Sequence, residues 1–185
     1  GCKATAPSTA TQSATQVGSS VLEQTLEVHR VYATELWSKT LQVARTMDRK
    51  IQQFTLDPTQ DNLISARESW IAAHKIYSQT ESLRFQNGPI DNPESGVEST
   101  LNGWPVDEAY IDYTKDNSMA GIINDTERYP EITKDLLLSL NEKGGEENIS
   151  LGYHAIEFLL WGQDFNTSGP GQRASTDFSD QPNAN

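Results

Sequence analysis

The residues best placed to do chemistry form the stretch Gly152-Tyr153-His154-Ala155-Ile156-Glu157. His154 and Glu157 are three positions apart, so on a helix both project from one face. An imidazole and a carboxylate at that spacing can share one metal ion, as helical bundles often arrange, or can pair as a buried structural hydrogen bond. Apolar neighbours (Ile156 and Phe158 to Leu160) predict a buried helix, and polar groups buried there need partners. Gly152 permits close approach of another backbone. The spacing excludes the two standard metalloprotease helices: H-E-x-x-H fails because Ala155 follows His154, and H-x-x-E-H fails because Phe158 follows Glu157.

A single histidine here requires further ligands to be oxygen donors from elsewhere. Glu81 lies near the end of the second helix, with Arg84 one turn on, either pairing with Glu81 or offering its fork to a carboxylate ligand. Asp107, Glu108 and Asp112 lie in an irregular segment around Tyr110. One imidazole with several carboxylates suits iron, zinc or manganese better than copper(I). The ordinary alternative for each acid is a solvated surface charge. His74, mid-helix among Ala72, Ala73, Ile76 and Tyr77, reads as packed or half-exposed rather than as a ligand. Trp37, Trp70, Trp104 and Trp161 all sit in apolar contexts and are expected in the core. No G-x-S-x-G nucleophile context is present.

The elements that must position these residues are helical. Apolar residues recur at three- and four-residue steps from Val21 to about Leu56, through Leu22, Leu26, Leu36, Leu41 and Met47. Asp57-Pro58 ends that helix. A second starts near Pro58 or Thr59 and runs through Leu63, Ala66, Trp70, Ala73 and Tyr77 to about Phe85, where Asn87-Gly88-Pro89 stops it. Residues 88–115, rich in Gly and Pro, predict a long ordered loop with a short helix at 105–112. Further helices are expected at Met119–Asn124, from Pro130 to about Leu140, and from Ile149 to Leu160, with Gly162 as the terminating glycine. No strand alternation and no nucleotide-binding glycine signature is found. The reading is an all-α bundle over residues 21–165, followed by an irregular C-terminal segment, 166–185.

The chain has 185 residues, with 14 Lys and Arg against 26 Asp and Glu, a formal charge of −12. That balance excludes nucleic-acid binding through phosphate neutralisation and favours attraction of cations. A single cysteine, Cys2, excludes an intramolecular disulfide scaffold and a four-cysteine zinc site. Residues 1–20 hold small polar residues and no acid, and read as a flexible tether. A cysteine ahead of such a tether resembles the start of a mature bacterial lipoprotein, with a lipid on the Cys2 sulfur holding the protein to a membrane; the alternative is a plain free thiol.

Two blocks carry a wider resemblance. One runs from Ser69-Trp70-Ile71-Ala72-Ala73 through Gln79-Thr80-Glu81, Arg84-Phe85 and Gly88-Pro89-Ile90-Asp91 to Asn102-Gly103-Trp104-Pro105-Val106-Asp107-Glu108-Ala109-Tyr110-Ile111-Asp112-Tyr113. The other is Gly-Tyr-His-Ala-Ile-Glu-Phe-Leu-Leu-Trp-Gly-Gln-Asp over residues 152–164, with Gly169-Pro170-Gly171 and Thr176-Asp177-Phe178 after it. Together they resemble the imelysin-like family of bacterial cell-envelope proteins, whose G-x-H-x-x-E hallmark falls on Gly152, His154 and Glu157. The resemblance implies a helical fold of two bundle-like halves, a link to iron uptake or sensing, and a pocket for iron or another divalent metal, zinc included, or for a metal-bearing ligand. His154, Glu157, Glu81, Asp107 and Asp112 would be the metal donors, and Arg84, Tyr110, Gly152 and His74 the pocket's other residues. An imelysin-type metallopeptidase and a metal-free ligand-binding module are the alternatives. The family usually carries Arg where His74 stands, and its members are longer, so the chain is expected to stop where a second half would begin.

Overall fold

The computed structural model describes residues 9–179, and Cys2, with the lipid anchor expected on it, lies outside them. The described chain is built of helices joined by turns and irregular segments, with no strand and one isolated bridge between Thr114 and Asn117. Helix α1 (Thr9–Leu56) is joined by a tight Asp57-Pro58-Thr59 turn to α2 (Gln60–Tyr77). The Thr59 side chain accepts from the Asn62 amide and caps α2. Paired contacts spread outward from this turn, Gln53 with Asn62 near it and Tyr32 with Ser82 far from it, so the two helices run antiparallel.

The helix period decides what is buried. On α1 the buried residues are Leu36, Thr40, Met47 and Phe54, and on α2 they are Leu63, Ala66, Trp70, Ala73 and Tyr77; the α2 set is the expected one, whereas on α1 Leu41 is exposed and Thr40 and Phe54 are buried beside Leu36 and Met47. Each large apolar side chain removed from water there contributes about 1.5–3 kcal/mol. At 1.5 Å per residue α1 is about 72 Å long and α2 about 27 Å. The N-terminal part of α1 therefore overshoots its partner, and Leu22 and Leu26 are exposed instead of forming core. The helix also begins earlier than expected. Residues 9–20, read from composition as a tether, are helical backbone, with Gly18 as their one strong helix opponent; extending a helix already nucleated costs little.

After Tyr77 the chain tightens into a 3-10 turn (Ser78–Leu83) rather than continuing as α-helix. The long segment that follows is ordered and carries α3 (Glu98–Asn102) and α4 (Glu108–Ile111). The helix expected at Met119–Asn124 is absent, and turns stand in its place. The amides of Ile122 and Ile123 donate to the Tyr110 and Ile111 carbonyls instead of to their own turn, and Gly121, at φ 88°, lets the chain pass against Ile111 where a Cβ would clash. Helix α5 (Lys134–Leu140) starts at its Thr133 cap, and α6 (Tyr153–Trp161) begins four residues later than the apolar run suggested.

Helix α6 lies on α2. The Trp70 indole donates to the Tyr153 carbonyl at 2.8 Å, and the Arg67 guanidinium closes the far end by donating to Leu160 O at 2.6 and 3.0 Å. The Leu160 carbonyl, at the end of α6, has no partner within the helix, and Arg67 supplies one from a neighbouring element. Arg67 also donates to Arg173 O at 2.6 Å, which fastens the C-terminal segment to the same point. Among the described residues, no helix is long and apolar enough to cross a membrane.

Candidate functional site

The site is built where α6 meets α2 and α3. Gly152 caps α6 with φ 95°, a conformation that L side chains rarely adopt, and a Cβ there would stand 2.8 Å from the Leu101 carbonyl oxygen. The missing side chain lets α6 start directly against α3. In the first turn of α6, His154 Nδ1 lies 2.8 Å from Glu157 Oε2. The imidazole is mostly covered, at 15 % side-chain exposure, while the carboxylate is 41 % exposed and faces a cavity. The pair leaves Nε2 as the remaining ring nitrogen of His154.

Aromatic rings hold the imidazole in place. His74 meets it edge-on with centroids 5.3 Å apart, and Trp104 lies at 4.9 Å on a tilted plane. His74 is itself stacked on Trp70 at 4.8 Å and shares a 3.0 Å hydrogen bond between its Nε2 and Asn102 Oδ1. His74 is thus a packed residue fixed by α3, as its helical setting suggested, and it stands beside the hallmark pair. Tyr77 and Tyr153 complete this wall; burial pushes both phenols up, Tyr77 to about 12 with Glu98 adding to the effect, so both stay neutral.

Next to the pair opens a cavity of about 780 Å³. Its apolar wall is Trp70, Ile71, Trp104, Phe158, Trp161 and Pro170, and its charged groups are Glu108, Glu157 and Asp164. Trp104, expected in the core, is 70 % exposed at this cavity. Apolar walls with a few fixed polar groups are the ordinary make-up of a small-molecule site.

The other residues expected at the site are not brought to this cavity. Asp107 caps α4 by accepting from the Ala109 amide at 3.0 Å. Asp112 is buried and accepts from Arg173 at 2.8 Å, Asn124 at 2.9 Å and the Tyr113 amide at 2.8 Å. Tyr110 donates to the Leu140 carbonyl and lines a separate cavity. Glu81 is exposed and pairs with Arg84, whose Nη1 lies 3.3 Å from Glu81 and 3.1 Å from Glu98; Arg84 borders a further cavity. The sequence supplied carboxylates of the right kind, but their nearest backbone amides and guanidinium groups claim them.

The hallmark, its glycine and the two helical blocks around it agree with a comparison against family models: the imelysin model (peptidase M75) matches residues 33–184. The chain belongs to the imelysin family. It is also similar to the protein called iron-regulated protein A in Synechococcus elongatus, 33 % identical over 64 residues, which is 35 % of this chain and 17 % of that protein. The matched part thus spans less than a fifth of that relative's length.

An imelysin-family resemblance implies a metal, and the donor set tests it. Two donors from one helix turn converge at the hallmark, His154 and Glu157. Among the described residues, no group of three or more His, Cys, Asp or Glu side chains is placed to hold a metal ion. Two donors do not fit a resident ion held by this chain's described side chains alone, because iron and zinc sites in proteins need more. Beside the pair lies instead a roomy cavity with a polar corner. Sequence reasoning missed Trp104, Asn102 and Asp164 as parts of it. The one available signal was a tryptophan next to proline in a loop rather than on a helix face.

Proposed function

We propose that this chain is a binding module of a bacterial cell-envelope protein, whose cavity takes a small molecule, with or without a metal centre, against the His154–Glu157 pair. One observation carries the reading: a cavity of about 780 Å³, walled by tryptophans, opens beside the family's hallmark residues. An iron or other divalent ion would reach this chain as part of a ligand that brings its own donors, with His154 and Glu157 completing or orienting the complex. The name of the relative, iron-regulated protein A, supports a place in iron uptake or sensing. Attachment to a membrane through a lipid on Cys2 belongs to the same proposal and is supported by the composition of residues 1–20. A metallopeptidase has less support, because hydrolysis needs an ion held firmly enough to activate water, and the two convergent donors do not provide that.

Purification without chelators, followed by native mass spectrometry and elemental analysis, tests the proposal. The expected result is a small molecule bound near one per chain, lost in Trp104→Ala, with any metal departing together with it. Stoichiometric metal that stays after the small molecule is removed would restore a bare-ion site. Chelator-sensitive peptide cleavage abolished by Glu157→Gln would restore the peptidase.

A further inference from the structure

We propose that this cavity selects an organic cation: an amine or quaternary ammonium group attached to an apolar body. The inference rests on reading the cavity as a binding site and adds the sign of the ligand's charge.

The charge follows from the lining. Glu108, Glu157 and Asp164 border the cavity, and neither Lys nor Arg does. None of the three forms an ion pair with a Lys or Arg among the described residues. Glu108 accepts from the neutral Gln163 amide at 2.7 Å, Asp164 accepts from the Asn166 amide at 2.9 Å, and Glu157 is held by His154. The Gln163 and Asn166 bonds orient Glu108 and Asp164 without neutralising them. Three anions around an apolar hollow repel an anionic ligand and attract a cation, and the chain's formal charge of −12 acts in the same direction at longer range.

The tryptophans supply the second half of the argument. Indole faces attract cations, ammonium groups most when partly desolvated. Trp161 already has the Arg67 guanidinium 5.6 Å from its ring centroid, and Trp70 is stacked on His74. Trp104 touches His154 and is otherwise 70 % exposed at the cavity, which leaves it as the available platform. A large exposed tryptophan loses little freedom when it closes on a ligand, because it has only two side-chain torsions. The carboxylates and Trp104 therefore favour the same chemistry from separate directions: positive charge next to an apolar surface.

Isothermal titration with three probes of one shape tests this: phenyltrimethylammonium, its neutral isostere tert-butylbenzene, and benzenesulfonate. The expected result is that the cation binds at least about ten-fold more tightly than the isostere and that benzenesulfonate does not bind. Asp164→Asn, an exposed change that leaves the helices alone, is expected to narrow the gap about three-fold, and Trp104→Ala to weaken the cation more than the isostere. Equal binding of cation and isostere, or preference for the sulfonate, overturns the charge assignment while leaving the cavity as a binding site. Failure of all three probes to bind overturns the assignment too, and the cavity itself is then judged by the co-purification experiment above.

Discussion

Asp112 and Arg173 meet at 2.8 Å with their side chains only 3 % and 8 % exposed, the most deeply buried ion pair among the described residues. Arg173 also lies over the rings of Tyr113 and Phe178 and donates to Asp177, so one guanidinium joins the loop after α4 to the C-terminal segment. Burial works against the Arg173 charge, but Asp112 and Asp177 outweigh it and hold the guanidinium above its ordinary range. Breaking such a pair leaves its other member charged and dry. Asp112→Asn or Arg173→Met alone is expected to cost about 3–5 kcal/mol in urea unfolding, whereas replacing both with well-packed apolar residues costs less than the sum. Metal coordination by Asp112 would instead make the Asn variant's loss depend on added metal.

Gly152 offers a second test. A Cβ at this position would stand 2.8 Å from Leu101 O and 2.9 Å from Thr100 O, and the backbone is at φ 95°. Both atoms are backbone and cannot swing away. Gly152→Ala is expected to destabilise the chain by about 2 kcal/mol or more and to shift α6 off α3. Loss of probe binding in a variant that still folds by circular dichroism would show that this glycine sets the cavity's geometry.

The pH dependence at the alkaline end rests on Tyr77. Its phenol, 5 % exposed, is pushed up to about 12, first by burial and then by Glu98. The unfolded phenol releases its proton near 10. Between these values the folded chain holds a proton that the unfolded chain has lost, so stability falls as pH rises from about 10 to about 12. The loss attributable to Tyr77 approaches roughly 2–3 kcal/mol at the top of that window. Burial pushes Tyr110, Tyr113 and Tyr153 up as well, and they share the fall. Tyr77→Phe is expected to flatten the curve partly, measured as urea midpoints at pH 9 and 11.5.

The sequence shows its helices clearly because burial on α1 and α2 follows a 3.6-residue period that apolar residues report directly. It shows His154 and Glu157 for the same reason: their contact is local, within one turn of α6. The remainder of the site depends on tertiary approach. The proline beside Trp104 marks a loop but does not show that the ring will stand exposed against His154, and nothing near Asp112 signals that Arg173 will claim it. Carboxylates look alike as letters, and only packing decides which of them cap helices, which pair with cations and which face a cavity. Met119–Asn124 has helical composition but loses its amides to the Tyr110 and Ile111 carbonyls, a competition among distant groups that no local pattern encodes.

The turn after the 3-10 segment depends on one carboxylate. Asp91 accepts from the amides of Phe85, Gln86 and Gly88, and between these donors the chain holds two non-glycine residues in the left-handed region, Phe85 at φ 64° and Asn87 at φ 53°. A bulky aromatic in that region costs about 1–3 kcal/mol and persists only when its surroundings enforce it. Here the enforcement comes from the Asp91 bonds, since the Phe85 ring is exposed, with the Arg84 guanidinium 5.1 Å from its centroid. Asp91→Ala removes the acceptor for three amides at once. The backbone then relaxes to negative φ, which relieves the strain and offsets part of the lost hydrogen bonding. The expected global destabilisation is therefore modest, about 1–2 kcal/mol. Local protection should fall much further, with the amides of Phe85, Gln86 and Gly88 exchanging faster by a factor of ten or more. Hydrogen exchange read by NMR separates the two effects. Unchanged protection at these amides would mean that the turn is held by Arg84 and its carboxylate partners Glu81 and Glu98 instead.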